Sequence, residues 1–144
     1  MKRVKDVLEV KGNDVWSIEP GASVYEAMKL MADKEVGALM VIEGTELVGI
    51  ISERDYARKV ILEGRSSRTT QVREIMTSRL VYAEPEQNIE ECMVVMTERR
   101  VRHLPVIDGG RLIGVISIGD LVKSIITEQR FIIEQLERYI SGPA

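Results

Sequence analysis

Two short stretches carry residues that could do chemistry together: Gly49-Ile50-Ile51-Ser52-Glu53-Arg54-Asp55 and Gly114-Val115-Ile116-Ser117-Ile118-Gly119-Asp120. In each, a hydroxyl and a carboxylate stand three residues apart at the end of a short apolar run that opens with glycine. If the run is a strand and a helix starts at the serine, free backbone N–H groups and the positive end of the helix dipole face the junction. A carboxylate repels phosphate but suits a ribose diol, as the acidic residue of dinucleotide-binding folds does. The predicted chemistry is a nucleoside site, with Asp on the ribose and Ser and backbone N–H groups near a phosphate. The same Ser and Asp also fit a capping box, which needs no ligand. Two copies on equivalent strands, each led by a Gly where a ligand could approach the backbone, favour the ligand. The two roles are compatible. No nucleophile–base pair accompanies them, which argues against catalysis.

The two stretches belong to an internal repeat. Sliding the chain by 65 places Pro20 on Pro85 and keeps register without a gap as far as Ile61 on Ile126. Identical pairs such as Met31/Met96, Leu39/Leu104, Gly44/Gly109, Gly49/Gly114, Ser52/Ser117 and Asp55/Asp120 fall at both core and turn positions. VWSIEP and VYAEP read as extended segments closed by a Pro. Val24, Ala27, Met28 and Met31, like Ile89, Cys92, Met93 and Met96, recur at helical spacing, behind the N-cap candidates Ser23 and Asn88. ALMVI and LPVI are strands, Glu43-Gly44-Thr45 and Asp108-Gly109-Gly110 are hairpin turns, and LVGIIS and LIGVIS return. The unit is β-α-β-β-α, twice: an α+β fold. A short helix over residues 4–8 leads the first repeat, and another over 72–76 leads the second.

The expected organisation is therefore a first repeat with its leading helix over 1–64, a polar linker over 65–71, a second repeat over 72–126 and a helical extension over 127–144. Each repeat is about 60 residues, too small to bury a good core alone. The two should pack together with pseudo-twofold symmetry.

Composition narrows the class. Of the 144 residues, 44% are hydrophobic and 4% aromatic, so the core must come from Val, Ile, Leu and Met. A net charge of −3 leaves no basic footprint for nucleic acid. No apolar run approaches the ~20 residues of a membrane span, and MKRVKDVLEV has no signal-peptide core. One Cys and one His fall short of a zinc site, and a single Cys gives no internal disulfide. The Met pairs and Cys92 read as buried packing. A cytoplasmic protein without metal is expected.

With the paired Gly-φ-φ-Ser-x-x-Asp motifs, the leading helices and the strand entry Arg102-His103-Leu104-Pro105-Val106, the chain resembles the CBS-domain family in its tandem form, the Bateman module. The resemblance runs from about Val4 to about Ile126. It implies two clefts between the repeats, often occupied by AMP, ADP, ATP, NAD or S-adenosylmethionine, and frequent homodimers. It further implies that Leu80 and Val81 hold the base in the second cleft. Val101, Arg102 and His103 would border the ligand, Val115 would line it, and Ser117 and Asp120 would take ribose and phosphate. The matching first-cleft positions are Val15, Trp16, Val36, Gly37, Ala38, Ile50, Ser52 and Asp55.

The clefts are unequal in sequence. Arg102 and His103 offer cations to a phosphate, where the first repeat has Gly37 and Ala38. The first cleft would depend on Arg54, with Arg58 or Lys59 as further candidates, although Arg58 and Lys59 also suit a solvated helix face. Met40 also departs from the Pro of the family's strand entry. The second cleft is expected to bind a phosphorylated adenosine, and the first to bind more weakly or differently. A surface histidine is the alternative reading of His103, and Trp16 could equally pack or stack on a base.

Beyond the repeat, Val122, Ile125, Ile126, Gln129, Ile132, Ile133, Leu136 and Ile140 follow a helical period. That face seeks cover, on its own domain or on a second copy in a dimer. The leading functional expectation is a non-catalytic sensor of an adenine nucleotide that passes its signal to a separate effector. A structural dimerisation module whose Ser and Asp only cap helices is the alternative. CBS pairs also occur inside inosine-monophosphate dehydrogenases, but no catalytic barrel fits in this length.

Overall fold

The computed structural model describes residues 2–142, which divide into two compact units. One comprises residues 14–82 and is called the Ser52 unit. The other joins residues 2–13 to residues 83–142 and is called the Ser117 unit. Both mix small sheets with helices, as the α+β expectation requires.

In the Ser52 unit, β1 (Ser17–Ile18) pairs parallel with β2 (Ala38–Glu43), which pairs antiparallel with β3 (Glu46–Ser52). Helix α2 (Val24–Lys34) is started by Ser23, whose hydroxyl accepts from the Glu26 amide, and is closed by Glu35 in the left-handed region. Its apolar stripe (Val24, Ala27, Met31) is buried with Leu39, Val41 and Ile51 from the sheet and with Val72 and Ile75 from the short helix α4 (Val72–Ile75). Helix α3 (Glu53–Tyr56) follows β3 and widens into a π-helical turn over Ala57–Ile61, which the sequence pattern did not foretell. The polar stretch 65–71 is tied to α2, the Val24 amide donating to the Thr70 carbonyl and the Tyr25 amide to the Ser67 carbonyl.

In the Ser117 unit, β4 (His103–Asp108) and β5 (Arg111–Ser117) form the hairpin, with the same one-residue irregularity as β2 and β3. The first extended segment shrinks here to one bridge, Ala83 on Val106. Pro105 explains this. In the first repeat the Met40 amide donates to the Trp16 carbonyl, but Pro105, at the matching position, has no N–H to give. Helix α5 (Ile89–Arg99) starts at Asn88, and α6 (Ile118–Ser141) runs 24 residues without a break.

The leading helices exchange partners. Helix α1 (Val4–Lys11) precedes the first repeat in the chain yet packs in the unit of the second, while α4 precedes the second and packs in the unit of the first. The docking is the same in both. The Val4 amide donates to the Gln87 carbonyl and Lys5 to Pro85; Val72 donates to Ala22 and Arg73 to Pro20. In chain order residues 4–8 lead the first repeat and 72–76 the second, and each packs in the unit that holds the other repeat's sheet. Hydrophobic periodicity marks which face of a helix is buried and is silent on which sheet buries it.

Candidate functional site

In the Ser117 unit, strand β5 enters α6 through a complete capping box. The Ser117 amide donates to Asp120 Oδ2 at 2.8 Å, and the Asp120 amide donates to Ser117 Oγ at 3.1 Å. Antiparallel register sets His103 opposite Ser117, and the Ile118 amide donates to the Arg102 carbonyl. Arg102, His103, Ser117 and Asp120 are thus brought to one end of the hairpin, with Val101 just ahead of β4 and Val115 two residues before Ser117. The C-terminal end of α1 arrives at the same place. Lys11 Nζ donates to Asp120 Oδ2 and to the Val115 carbonyl, each at 2.6 Å, and Asn13 Nδ2 donates to the Ile113 carbonyl at 2.9 Å.

These neighbours set the charges. Burial alone would raise the Asp120 carboxyl, but the Lys11 hydrogen bond and the Ser117 amide outweigh it and hold the carboxyl below its ordinary value. Burial, and then the Lys11 ammonium, push His103 below the usual imidazole value. Burial thus works against a charged His103 ring in the free protein. Arg102, exposed at the entry to β4, carries the fixed charge.

The Ser52 unit repeats the frame and fills it differently. The Ser52 amide donates to Asp55 Oδ2 at 2.9 Å, as does the Ser52 hydroxyl at 3.0 Å, and the Asp55 amide donates to Ser52 Oγ. Ala38 stands opposite Ser52, and the Glu53 amide donates to the Gly37 carbonyl. Asp55 Oδ1 is also occupied. Lys59 Nζ lies 3.0 Å from it, while donating to the Ile75 carbonyl at 2.8 Å, and Thr77 Oγ1 lies at 3.4 Å. Lys59 keeps 45% of its side chain exposed, while its ammonium is engaged by Asp55 and the Ile75 carbonyl. Ile50 exchanges backbone hydrogen bonds with Thr77. Arg54 and Arg58 are exposed. Val36 follows the left-handed cap of α2, and Val15 is half-buried ahead of β1. The Trp16 ring has Lys34 Nζ 4.3 Å from its centroid, so one face already carries a cation.

The contrast between the two carboxylates is the main finding. Asp55 has donors on both oxygens, and its side chain is 12% exposed. Asp120 takes the Lys11 ammonium and the Ser117 amide on Oδ2, and its side chain is 25% exposed. Leu80 and Val81, expected beside Ser117 and Asp120, fall within residues 14–82 and so in the other unit. The leading glycines face side chains rather than open space. A Cβ on Gly114 would stand 2.8 Å from Leu8 Cδ2, and one on Gly49 would stand 2.7 Å from Met76 Sδ.

Sequence reading missed Lys11, Asn13 and Thr77. The 65-residue offset does not reach them, because α1 and α4 superpose their docking bonds at an offset of 68 (Val4 on Val72). Helix α1 then runs on to Lys11, whereas α4 stops at Ile75 and Thr77 pairs with β3. The one available signal was a basic residue in the last turn of a helix closed by Gly12.

Comparison with known proteins agrees with this frame. The CBS domain family model matches residues 4–62 and 72–127. The chain therefore belongs to the CBS domain family, as a tandem pair. It is 41% identical over 149 aligned positions to the mitochondrial CBS domain-containing protein CBSX3 of Arabidopsis thaliana, covering 96% of this chain and 72% of that one. A solved structure described as a signal-transduction protein with CBS domains, from Burkholderia ambifaria MC40-6, is 53% identical, with a TM-score of 0.86 over 89% of this chain and 96% of that one. The CBS domain pair of protein MJ0100, solved in complex with 5′-methylthioadenosine and S-adenosyl-L-methionine, shares the fold at 22% identity and a TM-score of 0.79, covering 89% of this chain and 98% of that one. No helix among the described residues is long and apolar enough to cross a membrane.

Proposed function

We propose that this CBS pair is a non-catalytic sensor of an adenosyl nucleotide (AMP, ADP, ATP or NAD) and that the Ser117–Asp120 motif is its principal binding site. The observation that carries the reading is the greater exposure of the Asp120 side chain, 25% against 12% for Asp55, whose two oxygens both take side-chain donors. A ribose hydroxyl needs an acceptor that it can reach. Arg102 supplies phosphate with a forked donor, His103 and Val101 border the ligand, and Val115 gives it an apolar surface. The adenosyl ligands of MJ0100 support the chemical class. In this reading a separate effector protein reads out the binding. A cytoplasmic location suits a sensor of nucleotide pools.

Thermal shift against AMP, ADP, ATP, NAD and S-adenosylmethionine tests this. A specific ligand at 100 times its Kd adds about 2.7 kcal/mol. Asp120→Ala should abolish that shift, and Asp55→Ala should leave it. No shift with any ligand at millimolar concentration would leave the capping boxes as the whole role of both motifs.

That second reading, a dimerisation module, also has an observation behind it, and dimerisation is compatible with sensing. Helix α6 exposes Ile126, Ile132, Ile133, Leu136, Tyr139 and Ile140. They continue a seven-residue pattern (126, 133, 140; 125, 132, 139; 122, 129, 136), the seam by which helices pair. A second copy presents the same stripe, so the fitting assembly is a symmetric homodimer through α6. Sedimentation of a chain ending near Ser124 should give monomer; an unchanged dimer would remove α6 from the interface.

A further inference from the structure

Helix α6 outruns the unit that holds it. It packs on α1, α5 and β5, with Leu121 buried and Ile125 half-buried. From residue 129 to residue 141 every residue is exposed, about 20 Å of helix without a neighbour. A helix of that length is marginal in water and takes its stability from packing. This stretch carries two apolar lines. Ile133, Leu136 and Ile140 continue the exposed line of Val122 and Ile126. Ile132 and Tyr139 follow Ile125 at steps of seven, so they lie on the side that the unit covers earlier and leaves bare here. The open edge of the stripe is charged in two blocks: Lys123 and Arg130 come first, then Glu134 and Glu137.

We propose that α6 pairs antiparallel with α6 of a second copy, so that each projecting half lies beside the Ser117 unit of the other. This rests on the dimer reading above and adds to it the orientation and the surface that is covered. The twofold axis of an antiparallel pair runs across the helices, so both Ser117 units fall on one side of the pair, one at each end. Ile132 and Tyr139 face that side and gain cover from the other copy's unit. The axis of a parallel pair runs along the helices. Both units then share one end, and both projecting halves keep Ile132 and Tyr139 in water. Charge favours the same arrangement. In the antiparallel pair the basic block of one copy lies level with the acidic block of the other, whereas in a parallel pair each block meets its like. The seam then brings Val122 of one copy near the partner's Ile140.

The test uses the full chain with one cysteine added at a time, Val122→Cys or Ile140→Cys, both at exposed positions; Cys92 stays in place because it is buried. The two positions are about 27 Å apart along one helix. When the two variants are co-expressed and treated with a short bismaleimide, a crosslinked dimer with one chain of each kind should form. Each variant alone should give little or none. Crosslinking of each variant with itself, without the mixed product, would mean a parallel pair and overturn the proposal while leaving the α6 dimer intact. No crosslinking in any sample would overturn it too, and sedimentation of the same samples then separates the two causes: a monomer removes the dimer reading itself, and a dimer places the interface away from α6. Melting temperatures within a few degrees of wild type show that both variants are folded.

Discussion

Leu8 and Gly114 are in such close contact that a single carbon does not fit between them: a Cβ on Gly114 would lie 2.8 Å from Leu8 Cδ2 and 3.2 Å from Cδ1. Leu8 is buried, so it cannot swing into solvent without emptying its own place. Gly114→Ala is thus an overpacking substitution, and about 1–3 kcal/mol of destabilisation is expected in urea titration. The same change in a Leu8→Ala background should cost less than half as much, because the opposing methyls are gone. Equal costs in the two backgrounds would show that the glycine serves some purpose other than seating α1.

That contact also shows where sequence stops informing. The α-β-β-α part of each repeat, the N-caps Ser23 and Asn88, the hairpin turns and both serine–aspartate motifs follow from local spacing and are present, while the leading strand of the second repeat is reduced to one bridge. Each depends on residues a few positions apart. The partner exchange of α1 and α4 depends on contacts such as Leu8 with Gly114, more than a hundred residues apart, and no periodicity encodes them. Lys11 was hidden for the same reason. Its partner, Asp120, lies 109 residues away and was visible only as half of a local motif. The π-helical turn over Ala57–Ile61 contains Lys59, whose ammonium joins Asp55, four residues earlier, to the Ile75 carbonyl.

If His103 borders the phosphate of a bound nucleotide, affinity should depend on pH. Burial and the Lys11 ammonium hold the free pKa of the ring below the ordinary imidazole value. A phosphate beside the ring would raise it, so binding takes up a proton, and affinity for a phosphorylated ligand should fall as pH rises from about 6 to 8. A phosphomonoester titrates near pH 6 itself. The informative quantity is therefore the difference between the wild-type profile and that of His103→Gln, which carries the ligand's titration alone. Superimposable profiles would place His103 away from the phosphate.

Cys92 should be inert until the chain unfolds. Burial, with the Glu91 charge behind it, pushes its thiol up to about 11, and the side chain is 1% exposed. At pH 8 only about one thiol in a thousand would be thiolate, the reactive form. Alkylation by iodoacetamide should be negligible in the native protein and should appear with the unfolding transition in urea. Rapid native modification would mean that α5 opens locally well below the global transition.

The ion pair at the site should show itself in acid. The Asp120 carboxyl is held below its ordinary value, so the folded state binds this proton less readily than the unfolded chain does. Its contribution to stability is complete above the unfolded carboxylate pKa, about 3.9, and is lost as pH falls through the lower folded value. Lys11→Met removes the largest stabilising partner while burial remains, so the folded pKa must rise toward or past the unfolded one. Lys11→Met should therefore be less stable than wild type at neutral pH but show a shallower acid limb in its melting-temperature profile. Asp120→Asn, which cannot titrate, should be less stable at neutral pH but lose less of its stability on acidification. The Lys5–Glu86 pair offers the contrast: both side chains are about half or more exposed, and Lys5→Met should leave the acid limb unmoved. An acid limb identical in Lys11→Met and Lys5→Met would mean that the Lys11–Asp120 contact is too weakly populated in solution to hold the carboxylate.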